Sequence, residues 1–212
     1  MQVKKYSVLV VLFILPIVAY LFFASGVTNF GKLSVLTEGV DDVAHMDPNV
    51  SLKDNITVVG FLGKNPDRKN GNAFNLNQKI YKRFYQFKDF QFVMVMPKGT
   101  EAQADELKKE LGNLVDMKKW NFVFGNDQQV TDFFNSLNTD IELESDLSTP
   151  YAFIIDKDLS LRGRTEDGKE GTLYGFDASS VSELNNKMED DVKIILAEYR
   201  MALKKNSADR QK

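Results

Sequence analysis

Between Asn55 and Asp156 the chain alternates short, wholly apolar runs with longer stretches whose apolar positions recur every three or four residues. "NITVVGFLG" is rich in β-branched residues and too short for a buried helix, so it predicts a buried strand. Ala73, Leu76, Ile80, Phe84 and Phe87 then fall on one stripe, which predicts an amphipathic helix. "DFQFVMVMP" is apolar on both faces and stops at Pro97, as a central strand covered on both sides does. Ala104, Leu107 and Leu111 mark a second helix over 101–111. "WNFVFG" predicts a third strand, and Asn126 or Asp127 can cap a helix carrying Val130, Phe133, Phe134 and Leu137. "YAFIID" is a fourth strand, which "DKD" turns into "LSLRGRT" to make a hairpin. A last helix opens near Asp177 and Ser179, buries Val181, Leu184, Met188, Val192, Ile195 and Tyr199, and runs for about 24 residues, longer than most globular helices.

Strands alternating with helices in this order predict a largely parallel sheet with helices on both faces and right-handed crossovers. Residues 26–55, by contrast, are interrupted by "TEG", "DD" and "MDPN", and read as a tether with a short strand pair. The organisation is therefore an N-terminal segment 1–25, a tether 26–55, a folded domain 56–205 and a polar tail 206–212. There is no internal repeat and no low-complexity region.

Charge changes the picture at the N-terminus. Lys4 and Lys5 are the only charges before Lys32, and residues 6–24, "YSVLVVLFILPIVAYLFFA", hold none. As a helix that run reaches about 28 Å, close to a hydrocarbon core of about 30 Å. Basic residues before it and the acids Glu38, Asp41 and Asp42 after it put the N-terminus in the cytoplasm and the domain on the extracytoplasmic side. A cleaved signal peptide is the alternative, since Ala24 and Gly26 are small, but its apolar region is usually about 7 to 15 residues. The length favours an uncleaved single-pass anchor in the cytoplasmic membrane. The formal charge of -3 argues against a nucleic-acid partner.

The chain has no cysteine. Disulfides, thiolate nucleophiles and zinc-thiolate sites are therefore excluded, and with them thiol-based redox catalysis. No serine has a usable histidine and no acid pair has a spacing that specifies hydrolysis, so the expectation is a non-enzymatic protein.

The element order with an anchor in front resembles the thioredoxin-like fold, and in particular the Sco/SenC family of copper-delivery proteins that help assemble cytochrome c oxidase. "VSLKDNITVVGF" is similar to the family's lead into its first core strand. Pro66 and Asp67 resemble the Pro-Asp inside its Cys-Pro-Asp-x-Cys loop. "DLSTPYAFIIDKDLSLRG" resembles the segment running from the family's metal-binding histidine into the strand and hairpin beyond. The resemblance implies an α/β, three-layer fold with a mixed central sheet over roughly residues 30–200. Carried across residue by residue, it puts the two family cysteines at Asn65 and Lys69 and the histidine at Leu147. None of the three is a copper ligand. The resemblance thus implies a degenerate member without its thiol and copper site, with no catalytic or metal-ligating residue assigned.

Several candidate sites remain. "KNPDRKNGN" gathers Lys64, Arg68 and Lys69 before a helix, which suits a phosphate or carboxylate, although a solvated loop in which Asn70 or Asn72 caps the helix is the plainer reading. Thr149 and Pro150 stand where thioredoxin-like folds place a cis-proline; if cis, the backbone beside it can dock an extended polypeptide. Lys64, Asn65, Pro66, Asp67, Arg68, Lys69 and Asn70, with Ser148, Thr149, Pro150 and Tyr151, form the expected binding surface. Copper could return only through His45, Met46, Met94 and Met96; "HM" supplies too few ligands, and the alternating Met94 and Met96 face a core. Glu166, Asp167, Glu170 and Asp177 lack EF-hand spacing and read as a mobile hairpin tip. The expected function is a membrane-tethered binding or assembly module of the cell envelope, serving a respiratory oxidase if the resemblance extends so far. The alternatives are a copper chaperone with an atypical site, a small-molecule binder in the same groove and, least supported because the nucleophile is missing, a protein of thiol-disulfide or peroxiredoxin type.

Overall fold

A computed structural model describes residues 11–21, 32–168 and 171–209; within these, the side chains of residues 68–69 and 203–209 are not described. The chain divides into two compact units, Met1–Gly31 and Lys32–Lys212. In the first, residues 11–21 are helical, and Val11, Leu12, Phe13, Ile14 and Leu15 are all exposed. The remainder of the apolar run, 6–10 and 22–24, lies outside the described residues. Among the described residues no helix is long and apolar enough to cross a membrane.

The second unit is built on seven strands: β1 (Ser34–Thr37), β2 (Ile56–Phe61), β3 (Phe90–Pro97), β4 (Trp120–Gly125), β5 (Tyr151–Ile155), β6 (Leu161–Gly163) and β7 (Phe176–Asp177). Across the sheet they run β1-β6-β5-β2-β3-β4, with β7 paired to the start of β5. The sheet is mixed. β2, β3 and β4 are parallel, whereas β5 enters antiparallel to β2 and β6 and β1 continue antiparallel. The direction changes at β5, which follows the helix Asp127–Ser136 and residues 137–150 yet lies antiparallel to β2, so the sheet is not largely parallel; the tight turn "DKD" then makes β6 antiparallel to β5, as a short connection must. The tether contributes no local strand pair among its described residues. Its one strand, β1, pairs instead with β6, more than a hundred residues away.

The first helix, α1, comprises Asn70–Leu76, a π-helical turn Asn77–Tyr81 and Lys82–Phe84. Helix α2 is Glu101–Gly112 and α3 is Asp127–Ser136. The last helix, α4, comprises Val181–Glu183, a second π-helical turn Leu184–Met188 and Glu189–Asp209. Helices α1, α2 and α4 cover one face of the sheet, over Phe92, Met94, Met96 and Trp120. Helix α3 and residues 40–52 cover the other, over Val59, Phe61, Val93, Val95 and Phe153. β2 is accordingly buried at every position.

Local signals set the helix ends. Asn126 accepts from the Gln129 N–H while the Gln129 side chain accepts from the Asn126 N–H, closing a capping box at α3. Ser180 accepts from the Glu183 N–H and starts α4. Two positions expected inside depart from the stripe. Phe87 is 43% exposed and Val181 40% exposed. The π turn of α1 inserts a residue, so Asn77, Ile80 and Tyr81 all turn inward and Phe87 falls in the turn beyond the helix. Val181 sits in the first turn of α4, before that helix meets the sheet.

Candidate functional site

The loop after β2 and the segment before β5 lie side by side at the end of the sheet. Leu62 bridges Ser148 in antiparallel fashion, the Lys64 N–H donates to the Asp146 carbonyl at 2.8 Å, and the Thr149 N–H donates to the Phe61 carbonyl at 3.2 Å. Between them Gly63 has φ of +70°, and a Cβ there would lie 2.7 Å from both the Asp146 carbonyl oxygen and the Ser148 Cβ. Only glycine fits that backbone and that approach. The positions the resemblance assigns to metal ligands, Asn65 and Leu147, are thus carried by adjoining segments, but the side chains are an amide and an aliphatic group.

The second segment is held from within. The Asp146 carboxylate accepts from the Ser148 N–H and hydroxyl, Leu147 donates to the Glu144 carbonyl, and Leu147 itself has φ of +66°. The Thr149–Pro150 peptide is trans, since no cis bond occurs among the described residues. The backbone beside it is already used: Thr149 donates to Phe61, and Pro150 accepts from the Ala178 N–H. The cis condition for docking an extended polypeptide on this edge is not met, and Pro150 is an ordinary proline before a strand.

The proposed surface is therefore narrower than the sequence implies. Pro66, Ser148 and Thr149 are buried; Lys64, Asn65 and Asp67 are exposed; Asn70, Pro150 and Tyr151 are intermediate. The side chains of Arg68 and Lys69 lie outside the described set. Lys64 reaches across to Asp127 at the start of α3 at 2.6 Å, an exposed pair, of the kind that adds less than about 1 kcal/mol to stability. Neither Asn70 nor Asn72 caps α1: the chain enters through a 3-10 turn, Pro66–Lys69, with Asn65 at its N-cap, and the Asn70 Oδ1 is buried without a hydrogen-bond partner among the described residues.

The residues that could hold copper do not converge. His45 is exposed and its Nδ1 lies 2.6 Å from the Asp42 carbonyl oxygen, to which it donates. Met46 packs on the α3 face of the sheet, near Gly125. Met94 and Met96 are fully buried on the opposite face. Among the described residues no group of three or more histidine and acidic side chains could hold a metal ion. Glu170 lies outside the described residues. Asp167 is engaged by Lys187 at 2.5 Å and Arg164 at 3.1 Å, and chiefly the Lys187 contact, with Arg164 adding to it, holds its carboxyl below the ordinary range. The hairpin base is thereby pinned to α4, an arrangement the reading of a loose acidic tip does not anticipate.

Sequence reasoning also missed a charged cluster at the opposite end of the sheet. Arg162 is buried; it donates from Nε and Nη2 to the Leu33 carbonyl, from Nη1 to Asp156 and from Nη2 to Glu198. Beside it lies an open cleft of about 610 Å³. Tyr199 lines that cleft, and burial with the nearby Asp156 and Asp158 charges pushes its phenol up. Alternation in "LSLRGRT" sets Arg162 on the face opposite Leu161, with Ser160 and Arg164, so no local pattern marks its burial. Its partners could not be read from sequence because Leu33 and Glu198 come from distant segments.

No protein-family model and no curated protein matches the chain. It is similar in structure to a Bacteroides thetaiotaomicron protein described as a candidate protein disulfide isomerase, with a TM-score of 0.50 and 11% identity over 81% of this chain and 98% of that one. The fold is thioredoxin-like. Its structural neighbours include Sco/SenC proteins: a SCO1/SenC family lipoprotein from Bacillus anthracis, at TM-score 0.47 and 13% identity over 79% and 96% of the two chains, and copper-bound ScoI from Arabidopsis thaliana, at 0.43 and 17% over 68% and 89%. At these identities the likeness speaks to the fold alone. Within that thioredoxin-like frame, this chain has no cysteine anywhere.

Proposed function

We propose that this protein is a non-catalytic, membrane-tethered docking module of the cell envelope, one that keeps the scaffold of a thiol- or copper-handling thioredoxin-like domain and uses it to bind another protein. The observation that carries this reading is the loop pair itself. The junction after β2 and the segment before β5 are locked together through Gly63, Leu62–Ser148 and Lys64–Asp146, yet they present Lys64, Asn65 and Asp67 where a reactive sulfur would stand. A scaffold without a nucleophile or an electron carrier can position groups but cannot exchange thiols.

The apolar run 6–24 supports the tether. Anchoring raises the effective concentration of the domain for other membrane proteins, so a weak surface suffices. A respiratory oxidase or its assembly partners is the class of target that the Sco/SenC resemblance implies, with the domain on the extracytoplasmic side. The test is a photocrosslinking residue placed at Asn65 in the full-length protein in native membranes, with Lys108 on the exposed side of α2 as the control position. Crosslinks from Asn65 to an envelope protein, absent from Lys108, support the reading. Equal yields from the two positions, or none, refute it. A copper titration of the same chain with competing chelators decides the rival: stoichiometric tight Cu(I) binding would replace docking with metal delivery.

A further inference from the structure

We propose that the bare edge of the sheet at β4 is a self-association surface, on which a second copy of this chain adds antiparallel to form a closed two-fold dimer. This inference is independent of the docking function. Among the described residues β4 ends the sheet and is paired only with β3. The Phe92 N–H donates to the Lys119 carbonyl and the Lys98 N–H to the Gly125 carbonyl. In a parallel ladder the bonding direction alternates, so Asn121, Val123 and Gly125 turn their backbone groups to β3, and Phe122 and Phe124 turn theirs outward. Among the described residues nothing bonds to those outward groups.

Exposed edges of this kind are normally blunted by charge, proline or a bulge. The other edge is: β1 is only four residues long and its register slips between Val35 and Thr37. β4 has none of these devices, its sequence being "WNFVFG". Instead it is complementary to itself. Antiparallel pairing centred on Val123 sets Phe122 opposite Phe124 of the second copy, so each exchanges N–H···O bonds with the other. Both rings lie half-buried on the same face, packed against the core under α1 and α2, and would meet their counterparts across the axis.

The same register carries opposite charges to the flanks. Lys119 stands opposite Asp127 of the second copy. Within its own chain the Lys119 ammonium donates to the carbonyls of Phe87 and Lys88 rather than to a carboxylate, and Asp127 is exposed at the start of α3 with Lys64 as its neighbour. A two-fold pairing uses the β4 edge of both copies and leaves only the short, irregular β1 edges at the ends of the joined sheet, which do not favour a filament.

The test is sedimentation equilibrium of residues 32–212, a compact unit in its own right, from micromolar to millimolar concentration, with amide hydrogen exchange on the same samples. A monomer–dimer equilibrium is expected in which the Phe122 and Phe124 amides exchange more slowly as concentration rises, while Val123 is slow throughout. Phe122→Lys weakens the dimer about tenfold or more. Should that variant fail to fold, Asp127→Lys weakens it several-fold and Lys119→Asp in the same chain restores it. A monomer at millimolar concentration, or a dimer whose Phe122 and Phe124 amides ignore concentration, overturns the proposal.

Discussion

Replacing Arg164 with leucine isolates the energetics of the hairpin base. Arg164 grips Asp191 on α4 in bidentate fashion, from Nε at 2.9 Å and Nη2 at 2.8 Å, and the Asp191 side chain is 1% exposed. Burial pushes the Asp191 carboxyl up and the guanidinium only partly offsets it. Removing one partner of a buried pair costs about 3–5 kcal/mol, because the remaining charge is left without compensation. Arg164 is itself 29% exposed, so water can partly replace it and the lower end, about 3 kcal/mol, is expected. Against a domain stability of about 5–15 kcal/mol that is a large share. The sign with pH is also set. The raised carboxyl binds its proton more tightly folded than unfolded, so the penalty is present above its folded pKa and is relieved as pH falls through it. Losing Arg164 raises that pKa further, and the variant's deficit should shrink as pH falls through it. The assay is urea unfolding of residues 32–212 followed by the single tryptophan, Trp120, which is 1% exposed. Arg164→Leu with Asp191→Leu should recover part of the loss. A deficit below about 1 kcal/mol, or one unchanged at the lower pH, would show that the pair is not what holds the hairpin to α4.

Three further outcomes are expected. Gly63→Ala meets the Asp146 carbonyl and Ser148 Cβ at 2.7 Å with φ at +70°, so it should cost about 2 kcal/mol or more in denaturant unfolding and shift the NMR signals of residues 144–149. Asn126→Ala opens the capping box of α3 and should cost about 1 kcal/mol, read as a lower unfolding midpoint. Burial pushes the Asp42 carboxyl up, but hydrogen bonds from the Ser51 hydroxyl and the N–H groups of Leu52, Lys53 and Ala44 more than offset this and hold it below its usual range. Its contribution is present above the unfolded pKa and is lost as pH falls through the lowered one, so Asp42→Asn should destabilise by about 1–2 kcal/mol near neutrality and flatten the acid limb of the stability profile.

Much of the candidate site was legible, because its marks are local. Pro66 and Asp67 after a buried strand, and Thr149 and Pro150 before another, identify the two segments that the fold brings together. What could not be read is how those segments use their own backbone. Thr149 and Pro150 look available in sequence, but the carbonyl of Phe61 and the N–H of Ala178 take up their hydrogen bonds. Ser148 and Thr149 look polar and are buried for the same reason. Likewise Met94 and Met46 are equally plausible thioethers until the sheet places them on opposite faces.

The sequence by itself determined the core strands β2 to β6, the helices and the missing chemistry, but neither the lone β1 nor β7: hydrophobic period and capping are properties of a few neighbouring residues, and an absent cysteine needs no structure to be absent. The tertiary structure alone decided which strands are neighbours, that β1 crosses to β6, that Arg162 closes on Leu33 from 129 residues away, and that β4 is left as the bare edge. Those outcomes depend on where segments far apart in the chain meet, and on the requirement that buried backbone and charged groups find partners when they do.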